Sequence, residues 1–433
     1  MKSLLSAVLA VSCCCAASAA QPEGDKAAAE NAFTAPVPST NSVLPSPVYR
    51  SGCPKAALDS MVPLPDVTGP TLKGVGQTTE YPDFTDDMNY AGITGALETS
   101  LAYWNKRPDT AAIQIGNDTY NAVHIRKSLK AMIAILEKKP SAKEAKAAIL
   151  KDFTIYESVA DDGSNSVTIT GYYEADINVS RTKTAEATHP IMLRPAGLVK
   201  TNSTEEFPYD YGMENADGGK TPAPSREQIE NGALAGKNLE LVWSAHTADI
   251  MLMQIQGSGY LRFPDGTFIK VGFDGANGWP FKSVQRALMD CGEIPSMNFV
   301  NFIKYLKSQP PARETTLVNI NPRYTFFKEA DPDTPAHGAI GLPLTPERSM
   351  AVDPKPVPLG LPAYLVSKRP VADGNGGISG FADFARFMTT QDTGSAIRGP
   401  GRVDLFWGNG RRAETEASSM KAAGKLYLFV LKK

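Results

Sequence analysis

The chain is short of the residues that hold metals and redox centres. Its 433 residues include 4 histidines and 5 cysteines, and three of the cysteines, Cys13, Cys14 and Cys15, crowd near the N-terminus. No C-x-x-C spacing occurs, and His124, His189, His246 and His337 are scattered, so neither a metal site nor a cofactor is expected. Cys53 and Cys291 are left over, and both a disulfide and two separate buried thiols are open readings. Charge of one sign is lacking as well. Lys+Arg 44 against Asp+Glu 46 leaves a net charge of -2, which excludes nucleic acid as an expected partner. Long apolar runs are absent too. The one apolar run near the start, Leu4 to Ser12, follows Lys2 and is too short to span a bilayer.

With Ala17-Ser18-Ala19 behind it, that run reads as a secretory signal over residues 1–19, and the protein is expected to be exported to the periplasm. Two processing routes fit. Cleavage after Ala19 gives a free periplasmic protein. Alternatively Leu9-Ala10-Val11-Ser12-Cys13 is a degenerate lipobox that gives an outer-membrane lipoprotein with a lipid anchor on Cys13, although Ala10 stands where Leu is usual.

Residues 20–80 follow, rich at first in Ala, Pro, Ser and Thr, and read as an extended tether. From Asp87 to Leu150 the spacing is helical, with Leu97, Leu101, Tyr103 and Trp104 in one run and Leu129 to Leu136 in the next. Strands are predicted from Val167 to Tyr173, and then at Leu239–Val242, Ile250–Gln256 and Leu261–Val271, the last broken by a hairpin signal at Asp265-Gly266. A helical stretch capped near Ser283 reaches Leu306. Short strands return at Ala363–Val366, Arg402–Phe406 and Leu426–Leu431. The class is mainly β with some α, in β-barrel architecture.

Three aspartates in the last third have similar settings: Asp353 before Pro354, Asp392 before Thr393-Gly394, and Asp404 between Val403 and Leu405. Asp is poor strand material, and at turns it accepts backbone N–H bonds, which accounts for Asp353 and Asp392 equally well. Asp404 has no turn residue beside it. In a strand it points away from Val403 and Leu405, and next to Phe406 and Trp407 its carboxyl should resist ionisation, as a general acid requires.

Two further stretches suit a sugar polymer. Gln254-Ile255-Gln256-Gly257-Ser258 sets amides and a hydroxyl beside a glycine, although a bulge with surface polar groups would look the same. Tyr172-Tyr173-Glu174 sets aromatics beside a carboxylate, either as a stacking wall with Trp243, Trp279 or Trp407, or as plain core.

Together these stretches resemble the membrane-bound lytic murein transglycosylase A family. The matching text is Thr170-Gly171-Tyr172-Tyr173-Glu174, Gln254 to Gly259, Gly278-Trp279-Pro280-Phe281, Pro343 to Pro354, Pro358-Leu359-Gly360, Gln391 to Gly399 and Asp404 to Gly408. Trp279, Phe281 and Met350 depart from the common pattern. The resemblance implies a double-psi β-barrel catalytic domain from residues 81–165 plus 331–433, with a second β-barrel domain inserted at 166–330. It implies a monomer bound to peptidoglycan glycan strands, and a lytic exotransglycosylase that leaves 1,6-anhydromuramic acid ends. Asp404, Asp392 and Asp353 would be catalytic. Tyr172, Tyr173, Glu174, Gln254, Gln256, Gly257, Ser258, Asn277 and Gly394 would bind substrate. A glycan hydrolase using an Asp pair and a non-catalytic wall-binding protein are the competing expectations.

Overall fold

The computed structural model describes residues 72–74, 81–160, 163 and 165–433; the signal, lipobox and most of the tether lie outside them. Apolar alternation builds a long strand first. In β1 (Val167–Asn178), Val167, Ile169, Tyr173, Ala175 and Ile177 are buried on one face, and Thr170, Tyr172 and Glu174 project from the other. The remaining strands used here are β2 (His189–Met192), β3 (Glu240–Ser244), β4 (Ser258–Arg262), β5 (Phe268–Ala276), β6 (Thr325–Ala330), β7 (Ser349–Ala351), β8 (Pro362–Ala372), β9 (Ile378–Asp392), β10 (Arg402–Asn409) and β11 (Lys421–Leu431).

The first half of β1 belongs to a closed ring of six strands. β1 runs parallel to β10, β10 antiparallel to β7, β7 parallel to β9, β9 antiparallel to β8, and β8 antiparallel to β11, which returns to β1. The second half of β1 leaves this barrel and pairs in parallel with β4. β4, β5 and β6 continue antiparallel. A bridge from Phe327 to Leu193 and the β2–β3 pair lead back to Ser180 through Trp243, which completes a second ring. One strand therefore ties both rings together, so positions along it have fixed heights relative to both.

Helices seal the first barrel. In α1 (Ile93–Asn105), the Trp104 indole N–H donates to the Gly360 carbonyl at 3.0 Å. Gln391, fully buried, donates to Ala96 O at 2.7 Å and to Ser100 Oγ at 2.9 Å, and accepts from Ser349 Oγ at 2.5 Å. These bonds pin the end of β9 just before Asp392. A buried Arg348–Asp86 pair at 2.7 Å holds the segment ahead of β7.

Two predicted elements need correction. Ile250–Gln256 is not a strand but most of α2 (Thr247–Gln256). Ile250, Met251, Leu252 and Met253 are all buried, so the helix is apolar all round and shows no helical stripe in sequence. The stretch from Ser283 to Leu306 is two helices, Val284–Asp290 and Phe299–Lys307, capped by Ser283 and Asn298 and separated by Gly292 with φ 75°. Cys291, at the end of the first, is disulfide-bonded, so the reading of separate thiols fails for it.

Candidate active site

Register brings two of the three aspartates to one level of the first barrel. Ala351 of β7 sits opposite Asp404 of β10 on one side and Asp392 of β9 on the other. Asp404 in turn lies opposite Thr170 of β1. Val403 and Leu405 are fully buried, so Asp404 does point away from the side they occupy, and it is half-buried.

The two carboxyls differ in how their oxygens are used. Asp392 is saturated: Oδ2 accepts from the Tyr172 hydroxyl at 2.6 Å, and Oδ1 from the N–H groups of Ala339 at 2.9 Å and Thr393 at 2.8 Å. Burial pushes its carboxyl up to about 6; those three donors pull the other way, and the Asp404 charge adds to the rise. Asp404 Oδ1 accepts from Thr170 Oγ1 at 2.5 Å, and Oδ2 has no hydrogen-bond partner among the described residues. Burial raises its carboxyl above the usual range against the opposing pull of Arg402 and Thr170. A protonated carboxyl with one free oxygen can hand a proton to a ligand, whereas Asp392 has no free oxygen to offer. Tyr172 is kept neutral by burial and by Asp392, so it acts as a donor, and its ring packs on Phe406 at 5.2 Å.

Asp353 stands apart. It is 5% exposed, and its oxygens accept from Gly399 N at 2.8 Å and Lys355 N at 3.1 Å, which ties two loops together behind the pair.

The expected sugar-binding residues divide similarly. Glu174 shares the Thr170 face but is buried in an ion pair with Lys270 at 2.8 Å. Gln254 accepts from Arg226 and donates to Thr325 O at 3.1 Å, and Gln256 accepts from Tyr173 N at 2.9 Å. Asn277, fully buried, joins Pro224 O, Pro322 O and Tyr324 N at 2.8–2.9 Å. Glu174, Gln254 and Asn277 make these contacts inside the protein and Gln256 commits its Oε1 there; together they hold the second ring and its link to β1. Tyr173 faces the reverse side of β1, where its hydroxyl reaches Glu414 at 3.3 Å beside a cavity of about 450 Å³. Gly257 caps α2 with φ 82°, Ser258 opens β4 half-buried, and Gly394 is half-buried just past Asp392. Among the tryptophans, Trp407 is 4% exposed and belongs to the core. Thr170 is the contact that the residue-by-residue reading passed over; its partner lies 234 residues away, and no local signal marks it.

Comparison with known proteins bears on the fold and its domains. The sequence profile of the MltA specific insert domain matches residues 168–328, and that of the 3D domain matches residues 348–430. The membrane-bound lytic murein transglycosylase A of Vibrio cholerae is 28% identical over 269 residues, which is 61% of this chain and 66% of that relative's length, just under two thirds. The crystal structure of a membrane-bound lytic murein transglycosylase from Agrobacterium tumefaciens superposes with a TM-score of 0.66 at 25% identity, covering 83% of this chain and 98% of that one. The structure of Escherichia coli MltA with bound chitohexaose shares the fold with a TM-score of 0.62 at 23% identity, covering 85% and 96%. The chain thus carries matches to an MltA specific insert domain and a 3D domain, and is similar in sequence to membrane-bound lytic murein transglycosylase A.

Proposed function

We propose that this protein cleaves the β-1,4 bond between N-acetylmuramic acid and N-acetylglucosamine in peptidoglycan without water, with Asp404 as acid and then base. The observation that carries the reading is the half-buried Asp404 carboxyl, raised above its usual range, with one oxygen held by Thr170 and the other without a hydrogen-bond partner among the described residues. Protonated Asp404 gives its proton to the glycosidic oxygen as the C1–O bond breaks. The carboxylate left behind takes the proton from the muramic acid O6, and O6 closes on C1 to give the 1,6-anhydro ring. Proton and electron pairs balance, and the acid is restored. Internal attack needs no bound water and gains from effective molarity.

Asp392, held by the Tyr172 hydroxyl, supplies a second carboxyl at the same level of the barrel; Asp353 ties loops together. The raised Asp392, two strands away across Ala351, also favours a second reading, in which a carboxylate pair hydrolyses the glycan with an external water. We place the enzyme in the periplasm, associated with the membrane as its relatives' name states. No helix among the described residues is long and apolar enough to cross a bilayer. The test is Asp404→Asn: the variant should melt like the parent and lose nearly all release of soluble fragments from murein sacculi. Retained release would remove Asp404 from the mechanism.

A further inference from the structure

The second ring carries aromatics that the reaction does not use. Phe207 packs edge-on against Tyr209 at 5.0 Å, and Tyr209 packs edge-on against Trp279 at 5.3 Å. All three are partly exposed. Beside them Phe273, 47% exposed, meets Tyr211 at 6.5 Å. Phe207, Tyr209 and Trp279 form a contiguous, partly exposed aromatic row, and contiguous exposed apolar patches mark interaction sites.

The cluster is held rigidly. The Trp279 indole N–H donates to Ala223 O at 2.8 Å. The Arg323 guanidinium donates to the Trp279 carbonyl at 2.9 Å and grips both oxygens of Asp210 at 3.1 and 3.0 Å, so one side chain fixes both legs of the platform. The legs also touch directly. Gly278 has φ 82°, and a Cβ there would lie 2.2 Å from Tyr211 O.

Register gives the direction. β1 carries Thr170 opposite Asp404, and further along carries Ala175 opposite Gly259. Gly272 is opposite Ser258, and β5 runs antiparallel to β4. The end of β5, leading into Asn277 and Trp279, therefore runs back in the direction of the first barrel.

We propose that Phe207, Tyr209 and Trp279, with Phe273 at the edge, form a stacking platform for pyranose rings of the bound strand away from the reaction centre. The inference rests on the glycan-cleaving reading of the site. The apolar C–H face of a pyranose suits an aromatic face, and the Asp210–Arg323 pair offers polar groups for hydroxyls at its margin. A preorganised platform binds without an ordering cost, and its contribution should grow with the number of sugars that reach it.

The test uses the full chain carrying Asp404→Asn and N-acetylglucosamine oligomers of two to six units, with affinity read by calorimetry. Two variants are added in that background: Phe273→Ala, which removes an exposed ring that makes no hydrogen bond, and Tyr209→Ala with Trp279→Ala together. The expected result is a loss of roughly tenfold per ring for the hexamer, with the disaccharide unchanged and melting temperatures preserved in the Phe273 variant. Equal hexamer affinity in parent and variants would overturn the platform, as would a uniform loss at every length. If the Asp404→Asn parent binds no oligomer at all, the glycan-cleaving reading itself fails.

Discussion

Thr170→Val isolates the contact that tunes the acid. The hydroxyl donates to Asp404 Oδ1 at 2.5 Å and so stabilises the ionised carboxylate. Valine keeps the β-branched shape that suits β1 and removes only the donor. A hydrogen bond to a charged group contributes about 1.5–3 kcal/mol. At about 1.4 kcal/mol per pH unit, its loss should raise the Asp404 carboxyl by roughly one to two units beyond its already elevated position. The acid must be protonated to act, so activity survives to higher pH. In a pH–rate profile of fragment release from sacculi, the limb on which turnover falls with rising pH should move upward by about that amount. The maximum rate should drop, because the carboxylate that takes the O6 proton loses its anchor. Thr170→Ser restores the donor and should restore the parent profile. A Thr170→Val limb that stays put or moves to lower pH, in a variant that melts like the parent, would refute the assignment of this contact.

Two further outcomes follow from the buried charges. The Asp392 carboxyl is pushed up to about 6 in the fold from an ordinary 3.8, so its ionisation works against folding. That cost is absent below pH 3.8 and grows as the pH rises through 6. Asp392→Asn should therefore flatten the fall in thermal stability between pH 4 and pH 8, by up to about 3 kcal/mol; an unchanged slope would contradict it. Glu174→Gln leaves the buried Lys270 ammonium without its counter-charge, held only by neutral acceptors such as the Thr334 carbonyl, with an expected loss of about 3 kcal/mol in denaturant melts and an unaltered KM for the folded enzyme. Unchanged stability with a raised KM would instead make Glu174 a sugar contact.

Much of the fold was legible because its signals are local. β-branched and aromatic alternation marks β1, and Asp265-Gly266 makes the turn between β4 and β5, where Gly266 has φ 83° and Asp265 accepts from Thr267 N. Ser283 caps its helix as expected. The orientation of Asp404 followed from the two-residue period of a strand. α2 was missed because its apolar residues surround the helix, and a short run buried on all sides has no period to read. The candidate site was harder to read because it depends on register. Ala351 standing between Asp392 and Asp404, and Thr170 reaching Asp404, are products of strand pairing across the whole chain. The amides of Gln254, Gln256 and Asn277 look the same in sequence whether they meet a sugar or a neighbouring carbonyl. Packing shows that Gln254 and Asn277 bond neighbouring protein groups and that Gln256 commits its Oε1 to Tyr173 N.

The central claim is that one aspartate closes an internal ring and no water enters the product. Digestion of purified sacculi in oxygen-18 water, followed by mass spectrometry of the released muropeptides, tests it directly. The account predicts 1,6-anhydromuramic ends, each lighter by one water and free of oxygen-18. Reducing ends labelled with oxygen-18 would contradict it and point to hydrolysis by the Asp404–Asp392 pair.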